Sequence, residues 1–212
     1  WWKITNGRVD FDFSGLAENA YGWWKITNGQ VDFSYVGYEQ SGSNWWYVYG
    51  GQVCFQATDV LPGTVGGQYG WWKVCEGKVN FDDDVCENAY GWWKITTGKV
   101  DFQYTGLAQN ACGWWMIQNG HVNFGSNGLV DNGNGWWLVK NGCVDFNYNG
   151  LVDNGNGWWL IRNGYVDFDY NGLVDNGNGW WLVKNGCVDF SYQGYVQNEC
   201  GVWWVSNGQV QF

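Results

Sequence analysis

Residues 1–11 read Trp-Trp-Lys-Ile-Thr-Asn-Gly-Arg-Val-Asp-Phe, and this stretch decides the fold. An Asn-Gly pair between alternating apolar residues is a strong hairpin signal, because both central residues of such a turn need positive φ. Counting outward from the turn gives the cross-strand pairs Thr5–Arg8, Ile4–Val9, Lys3–Asp10 and Trp2–Phe11. Side chains alternate along a strand, so the second Trp, the Ile, the Val and the Phe share one apolar face. That face is predicted to be the core, with the second Trp more buried than the first.

The same pattern recurs along the whole chain. All 20 Trp residues occur in pairs, which begin at residues 1, 23, 45, 71, 92, 114, 136, 158, 180 and 203. A fixed period of this length, about 22 residues, indicates a repeat array. A single hairpin is barely stable in water, so each unit must bury its apolar face on its neighbours. The sequence therefore predicts an all-β solenoid of about ten stacked two-stranded β-hairpins.

The array is expected to be a single domain over residues 1–212 and a fragment of a longer protein, because it opens without an initiator Met or a signal peptide. Irregular repeats lie around residues 45–91, where one repeat gains four residues and Pro62. The repeats over residues 114–201 are nearly identical. Between the hairpins, segments rich in Gly and Asn are too short and broken for a helix and are predicted to be connectors.

Charge and composition exclude several classes of function. The formal net charge is −10, so the chain lacks the positive surface that binds nucleic acid. No run approaches the ~18 apolar residues of a membrane span, which excludes membrane insertion. Acid–base catalysis needs two groups with different pKa values in one site. The Val-Asp-Phe carboxylates occupy equivalent positions in their repeats, and His121 is the only imidazole. The sequence predicts a protein that is not an enzyme and needs no cofactor.

The pattern Gly22-Trp23-Trp24, Asn28-Gly29, Val31-Asp32-Phe33 and Tyr35-Val36-Gly37 resembles a known repeat family. It is similar to the cell-wall-binding repeats of Gram-positive surface proteins, the choline-binding and glucan-binding modules. It is still more similar to the Trp-Trp, Asn-Gly, Val-Asp-Phe repeats of clostridial surface proteins. The resemblance implies an extracellular or cell-surface protein of the Gram-positive cell wall. In the choline-binding family, Trp and Tyr of neighbouring hairpins cage a quaternary ammonium, whereas the second strand here carries Val-Asp-Phe.

The first Trp of each pair is expected to pack between repeats, and a ligand platform is the alternative role. Exposed aromatic rings bind sugars, and they bind cations through the ring quadrupole. Sites are predicted where the first Trp of one repeat meets the Tyr and connector of the repeat before it. The candidate residues are Tyr21, Trp23, Tyr90, Trp92, Trp136, Trp158 and Trp180.

The predicted function is non-catalytic binding of a cell-wall polymer or glycan through many weak, equivalent sites. One alternative is a structural stalk or extracellular filament, whose repeats set length and stiffness and whose units self-associate into fibres. A second alternative is the targeting tail of an enzyme whose catalytic domain lies outside this segment.

Clustered Asp, Asn and Gly residues recur in three connectors and could supply oxygen ligands to calcium through Asp131, Asp153 and Asp175. Tight turns also favour Asn and Gly, because these residues adopt a left-handed backbone, so the same composition is expected without calcium. No Glu is placed to complete an EF-hand loop. No metal site is therefore predicted.

Seven Cys residues are present, and none forms a Cys-x-x-Cys motif. Disulfides between neighbouring strands are one expectation for a surface protein, with Cys187–Cys200 and Cys54–Cys75 as the candidate pairs. Free, reduced thiols are the other expectation.

Overall fold

The computed structural model describes residues 1–212 and contains strands and tight turns but no helix. The all-β prediction is therefore confirmed. None of its segments is a helix long and apolar enough to cross a membrane. The chain forms two compact units, residues 1–110 with 117–122 and residues 111–116 with 123–212.

The strands of the first unit are short, and most hold between two and six residues. They are β1 (Ile4–Thr5), β2 (Arg8–Val9), β3 (Gly15–Asn19), β4 (Gly22–Thr27), β5 (Gln30–Val31), β6 (Gly37–Ser41), β7 (Asn44–Tyr49), β8 (Gln52–Val53), β9 (Asp59–Val65), β10 (Gln68–Cys75), β11 (Lys78–Val79), β12 (Asp84–Asn88), β13 (Gly91–Thr96), β14 (Lys99–Val100) and β15 (Gly106–Asn110). Strand β16 (Gly113–Gln118) has residues in both units, and β17 (His121–Val122) belongs to the first.

The second unit repeats the same arrangement. Its strands are β18 (Gly128–Asp131), β19 (Trp136–Lys140), β20 (Cys143–Val144), β21 (Gly150–Asp153), β22 (Trp158–Arg162), β23 (Tyr165–Val166), β24 (Gly172–Asp175), β25 (Trp180–Lys184), β26 (Cys187–Val188), β27 (Gln193–Asn198), β28 (Gly201–Ser206) and β29 (Gln209–Gln211).

The Asn-Gly turns form the predicted hairpins in the predicted register. In the first repeat Ile4 pairs with Val9 and Thr5 with Arg8. The turn residues have positive φ, as in Asn28 at +49° and Gly29 at +79°. Both central positions of a type I′ turn require this left-handed backbone, which is why Asn and Gly dominate them.

The connectors are themselves strands, which sequence analysis did not anticipate. Strand β3 pairs antiparallel with β4 and places Ala17 opposite Trp24 and Gly15 opposite Ile26. From β4 onward, the strand that carries a Trp pair therefore has a partner on both sides. Each repeat contributes three strands to the array instead of two.

Successive repeats are joined by a second type of pairing. The second Trp of one repeat pairs with the residue directly after the turn of the next repeat, as in Trp24 with Gln52 and Trp137 with Tyr165. A backbone hydrogen bond from Lys25 N to Gly51 O supports this junction. Within each unit the hairpins consequently stack in sequence order, as expected for a β-solenoid.

The Ile and Val residues beside the turns form the core. Ile95, Ile117 and Ile161 have no exposed surface, and the Val across the turn is buried in the same way. The residue three positions before the turn is buried in four repeats, as Lys94, Leu138, Leu160 and Leu182, and is half-buried in most of the others.

The predicted burial of the Trp–Phe end is wrong. Phe33 is 53% exposed, and most of its equivalents are exposed too. Trp72 is the only second Trp that is buried, whereas in most repeats both Trp residues are half-buried. The alternation of side chains correctly places the Trp and the Phe on the same face of the hairpin as the Ile and the Val. The Trp–Phe end lies further from the turn, where the neighbouring repeat covers it only in part.

Candidate functional site

A ring contact between the Trp four residues before the turn and the Phe after the turn is present in every repeat. This Trp is the second of its pair, except in the last repeat, where it is Trp203. The two rings meet edge to face, with centroids between 5.3 and 6.2 Å apart. The side chains of Trp2 and Phe11, predicted to face each other across the hairpin, are in contact, although Phe11 lies beyond the end of β2. Edge-to-face geometry is favourable because the positive edge of one ring meets the negative face of the other.

The first Trp of a repeat packs on the Trp–Phe pair of the next repeat. Trp158 lies 5.0 Å from Trp181 and 5.8 Å from Phe190, measured between ring centroids. Trp136 relates in the same way to Trp159 at 5.2 Å and to Phe168 at 6.1 Å. We call each such set of three rings an aromatic cluster: the first Trp of one repeat with the second Trp and the Phe of the next.

The aromatic clusters are surfaces and not enclosed cages. Centroid distances of 5–6 Å are those of rings in direct contact, so the space between the three rings is filled by the rings themselves. The first Trp thus packs between repeats, which was one of its two expected roles. The Phe stays exposed in most clusters, and most of the Trp residues are half-buried.

The predicted site residues have the following neighbours. Tyr21 is 74% exposed and its ring lies 5.6 Å from Trp1, the first Trp of the preceding repeat. Tyr90 has the same relation to Trp71, at 5.3 Å. Trp23 packs against Trp46.

The remaining candidates also lie at junctions between repeats. Trp92 pairs with Glu87 across β12 and β13, and Trp180 packs on the core around Leu182 and Val205. Whether any of these residues binds a ligand stays a prediction.

The residue directly after each turn, which we call the post-turn residue, was missed as a part of this surface. His121 was noted as the single imidazole of the chain, but its ring centroid lies 4.1 Å from that of Trp93. Tyr165 covers Trp137 at 4.8 Å, and its hydroxyl donates a hydrogen bond to Asn134 O. The position varies in sequence from repeat to repeat, so no periodic signal marks it.

The Val-Asp-Phe carboxylates are paired with nearby donors. Asp189 accepts hydrogen bonds from Ser191 and Lys184, and these lower its pKa. A hydrogen bond from Lys140 likewise lowers the pKa of Asp145. A catalytic acid–base pair needs two groups with different pKa values, whereas the pKa values of Asp145 and Asp189 are both lowered.

The three Asp residues weighed as calcium ligands close their own turns. Asp131 Oδ1 accepts a hydrogen bond from Gly133 N at 2.8 Å, and Asp153 and Asp175 do the same with Gly155 and Gly177. This is the turn geometry that the alternative interpretation required. No group of three or more His, Cys, Asp or Glu side chains is arranged to hold a metal ion.

None of the seven cysteines forms a disulfide, so the predicted bridges Cys187–Cys200 and Cys54–Cys75 are absent. Cys187 lies beside Gly157 of the preceding repeat, whereas Cys200 is exposed in the turn between β27 and β28. Sharing a repeat therefore does not bring these two thiols together. Burial, together with the charge of Asp84, raises the pKa of Cys86 to about 12.

Tandem β-hairpins that share aromatic clusters at successive junctions define a repeat protein whose aromatic surface is built between neighbouring repeats. The sequence profile of the choline-binding repeat matches five segments, at residues 12–32, 103–123, 125–145, 147–167 and 169–189. The chain belongs to the choline-binding repeat family. Proteins with these repeats are associated with the cell surface or the cell wall.

Several solved structures are similar to the chain. Choline binding protein F from Streptococcus pneumoniae is 19% identical over 87% of this chain and 61% of that chain, with a TM-score of 0.37. The same protein in the presence of a peptidoglycan analogue is 13% identical over 93% of both chains, with a TM-score of 0.31. The modular autolysin LytC from Streptococcus pneumoniae is 13% identical over 94% of this chain and 48% of that chain, with a TM-score of 0.27. This chain thus spans about three fifths of the first structure and about half of the autolysin. No curated protein sequence matches the chain.

Proposed function

We propose that the chain is a non-catalytic module that binds a bacterial cell-wall polymer through its aromatic clusters. The observation that carries this proposal is the recurrence of one half-exposed ring arrangement at successive junctions, such as Trp136 with Trp159 and Trp158 with Trp181. The Phe is exposed in most clusters, which core packing alone does not require. Membership of the choline-binding repeat family supports the same function.

Quaternary ammonium groups are the first ligand class to test, with neutral sugars second. Aromatic faces attract cations, and a net charge of −10 raises the local concentration of cations around the whole chain. The protein's own cations already use its rings: Lys140 Nζ lies 4.3 Å from the centroid of Tyr148, and Lys184 Nζ lies 4.4 Å from that of Tyr192.

Each site is expected to be weak, because an open surface leaves much of the ligand in water. Strength comes from several clusters that engage one polymer at once, which makes each further contact intramolecular. Binding to a polymer should therefore fall steeply as clusters are removed, whereas binding of a small ligand should fall in proportion to their number.

The test compares choline with 3,3-dimethylbutan-1-ol, its uncharged analogue of similar shape, in titrations of the full chain followed by Trp fluorescence. Choline is expected to bind and the analogue to bind more weakly. The variant Phe190→Leu should lose one site, and the pair Phe168→Leu with Phe190→Leu should lose two. Tyr49→Leu is the matched control, because Tyr49 is exposed and lies outside the clusters.

A structural stalk is the second candidate, favoured by the direct contact between the rings of each cluster. In that case the clusters stiffen the junctions and no ligand is needed. Neither choline nor insoluble cell wall would then bind the chain, while the Phe→Leu variants would still lower its stability. That result would replace the binding proposal, and sedimentation would show whether copies associate into fibres.

A further inference from the structure

Two of the post-turn residues are lysines, and both place an ammonium group on an indole. Lys78 Nζ lies 5.1 Å from the ring centroid of Trp46, and Lys99 Nζ lies 5.8 Å from that of Trp72. Both distances are within the ~6 Å range of a cation–π contact. Each lysine also pairs through its backbone with the Trp that it covers, so the contact is built into the junction.

These two lysines do not form salt bridges, although the chain carries 20 acidic residues. Lys99 has one further partner, the side-chain oxygen of Gln68 at 3.4 Å. Its stem lies over Gly70, where an added Cβ would be 2.5 Å from Lys99 Cδ. The indole face is therefore a position that holds a cation without help from a carboxylate.

At the other junctions no ammonium or guanidinium covers the second Trp. The post-turn residues there are Gln30, Gln52, His121, Cys143, Tyr165, Cys187 and Gln209. The short side chains of Cys143 and Cys187 reach least far over the indole, and the Gln amides are uncharged.

We infer that Lys78 and Lys99 act as built-in ligands, which occupy the cation positions on Trp46 and Trp72 and exclude an external quaternary ammonium from those two clusters. The post-turn residue thus decides which repeats can bind. This inference rests on the proposed function. It restricts cation binding to junctions whose post-turn residue carries no positive charge.

The experiment counts the tetramethylammonium ions bound at saturation by equilibrium dialysis of the full chain. The double variant Lys78→Gln with Lys99→Gln removes both internal cations, and Lys78→Arg with Lys99→Arg keeps them. Both replacements occur naturally at the post-turn position of this array, as Gln52 and Arg8, so the variants are expected to fold. The Gln variant should bind two more ions than the unaltered chain, and the Arg variant should bind the same number as the unaltered chain.

The outcomes distinguish a failure of the built-in ligands from a failure of the proposed cation binding. Equal binding by the unaltered chain and the Gln variant overturns the built-in ligands and leaves the proposed function intact. A gain in the Arg variant equal to that in the Gln variant also overturns them, because the charge would then be irrelevant. No binding by any of the three proteins overturns the proposed cation binding together with this inference. Binding by the Gln variant alone supports the built-in ligands, and it overturns the proposed cation binding for the unaltered chain.

A second readout needs no ligand. Protons that lie over an aromatic ring are shielded by its ring current, so the ε-methylene signals of Lys78 and Lys99 should lie upfield of those of other lysines in a proton–carbon NMR spectrum. The Lys→Arg variants identify these signals by their loss. Unshifted signals at both positions would contradict the geometry on which the inference depends.

Discussion

The imidazole of His121 lies directly over Gly91, thirty residues earlier in the chain. A Cβ added at Gly91 would be 2.5 Å from His121 Cε1, and the backbone there has a φ of +135°. In most repeats a glycine precedes the Trp pair and leaves room for the post-turn residue of the next repeat. Two residues that seem unrelated in sequence form one junction.

The substitution Gly91→Ala is therefore expected to destabilise the chain by more than backbone strain alone. Gly201 is the matched control, because its φ is +143° but no atom lies within 4 Å of an added Cβ. Gly201→Ala should cost about 1–3 kcal/mol, the usual strain of such a backbone. Gly91→Ala should cost more, and His121→Ala should recover the difference in urea unfolding of the double variant. Equal costs for the two glycines would show that the imidazole does not occupy this space.

Thr97 is expected to be a strained turn residue. It has a φ of +46°, in a position where most other repeats have Asn, and β-branched residues are rarely found there. Thr97→Asn should raise the free energy of unfolding by about 1 kcal/mol, and Asn119→Thr should lower it by a similar amount. Thermal unfolding of both variants measures this. An unchanged stability in both would mean that the turn tolerates either residue.

The core should depend on the Ile–Val layer more than on the Trp–Phe end. Ile161 has no exposed surface, so Ile161→Ala leaves a cavity and should cost about 2–5 kcal/mol. Phe146→Ala removes a larger side chain that is 40% exposed and should cost less. Urea unfolding gives both values. The reverse order would place the centre of stability in the aromatic clusters.

Stability is expected to fall in acid. Burial alone would raise the pKa of Asp84, but the hydrogen bond and charge of Lys73 bring that pKa below its ordinary value of 3.8. A carboxyl whose pKa is lower in the folded state contributes stability above its unfolded pKa and loses it as the pH falls through the folded value. Urea midpoints measured from pH 7 to pH 2 should therefore drop below about pH 4. Asp84→Asn should flatten this dependence, whereas Asp12→Asn, at an exposed residue outside the salt bridges, should not.

The same ion pair predicts that stability also falls at alkaline pH. The pKa of Lys73 is raised by Asp84, against the effect of burial. A raised folded pKa contributes stability that is present at neutral pH and lost as the pH rises through that value. The Asp84→Asn variant should lose this alkaline dependence too.

Thiol reactivity should separate the cysteines by burial. The thiolate is the reactive form, and burial raises the pKa of Cys86 to about 12, so Cys86 should react slowly with iodoacetamide at pH 8. The exposed Cys112 and Cys200 should react first. Mass spectrometry of peptides taken over time gives the order, and alkylation after unfolding without a reductant should label all seven. A protected Cys187–Cys200 pair in that second experiment would show that a disulfide forms after all.

The hairpin registers could be predicted from the sequence because a two-residue turn fixes them completely. Ile4 opposite Val9 follows from counting outward from Asn6-Gly7, and no distant residue can alter it. Exposure is different, because alternation gives the face of Phe33 but not how far the next repeat extends over it. The connector strand around Ala17 was also missed, because its Gly and Asn residues have low strand propensity and it is held by its partner β4.

The candidate site was predicted in part. The first Trp was correctly placed at the junction between repeats, but its partners could not be named because they lie more than twenty residues away. Trp158 meets Trp181 and Phe190, and neither contact follows from a local rule. The equivalence of Lys99 and His121 could be read from the sequence, because each directly follows a turn, but only the fold shows that both lie against the second Trp of the preceding repeat.

The stacking between repeats also affects how such a gene changes in length. Each junction is divided, with the Gly and the second Trp supplied by one repeat and the post-turn residue by the next. Each repeat supplies half of the junction before it and half of the junction after it. When one whole repeat is duplicated or deleted, the halves on either side of the change still match each other. Residues 127–146 and 171–190 are identical in sequence and occupy equivalent strands in the structure. Unequal recombination can therefore lengthen or shorten the array without creating an unmatched interface, and selection can act on the number of repeats directly.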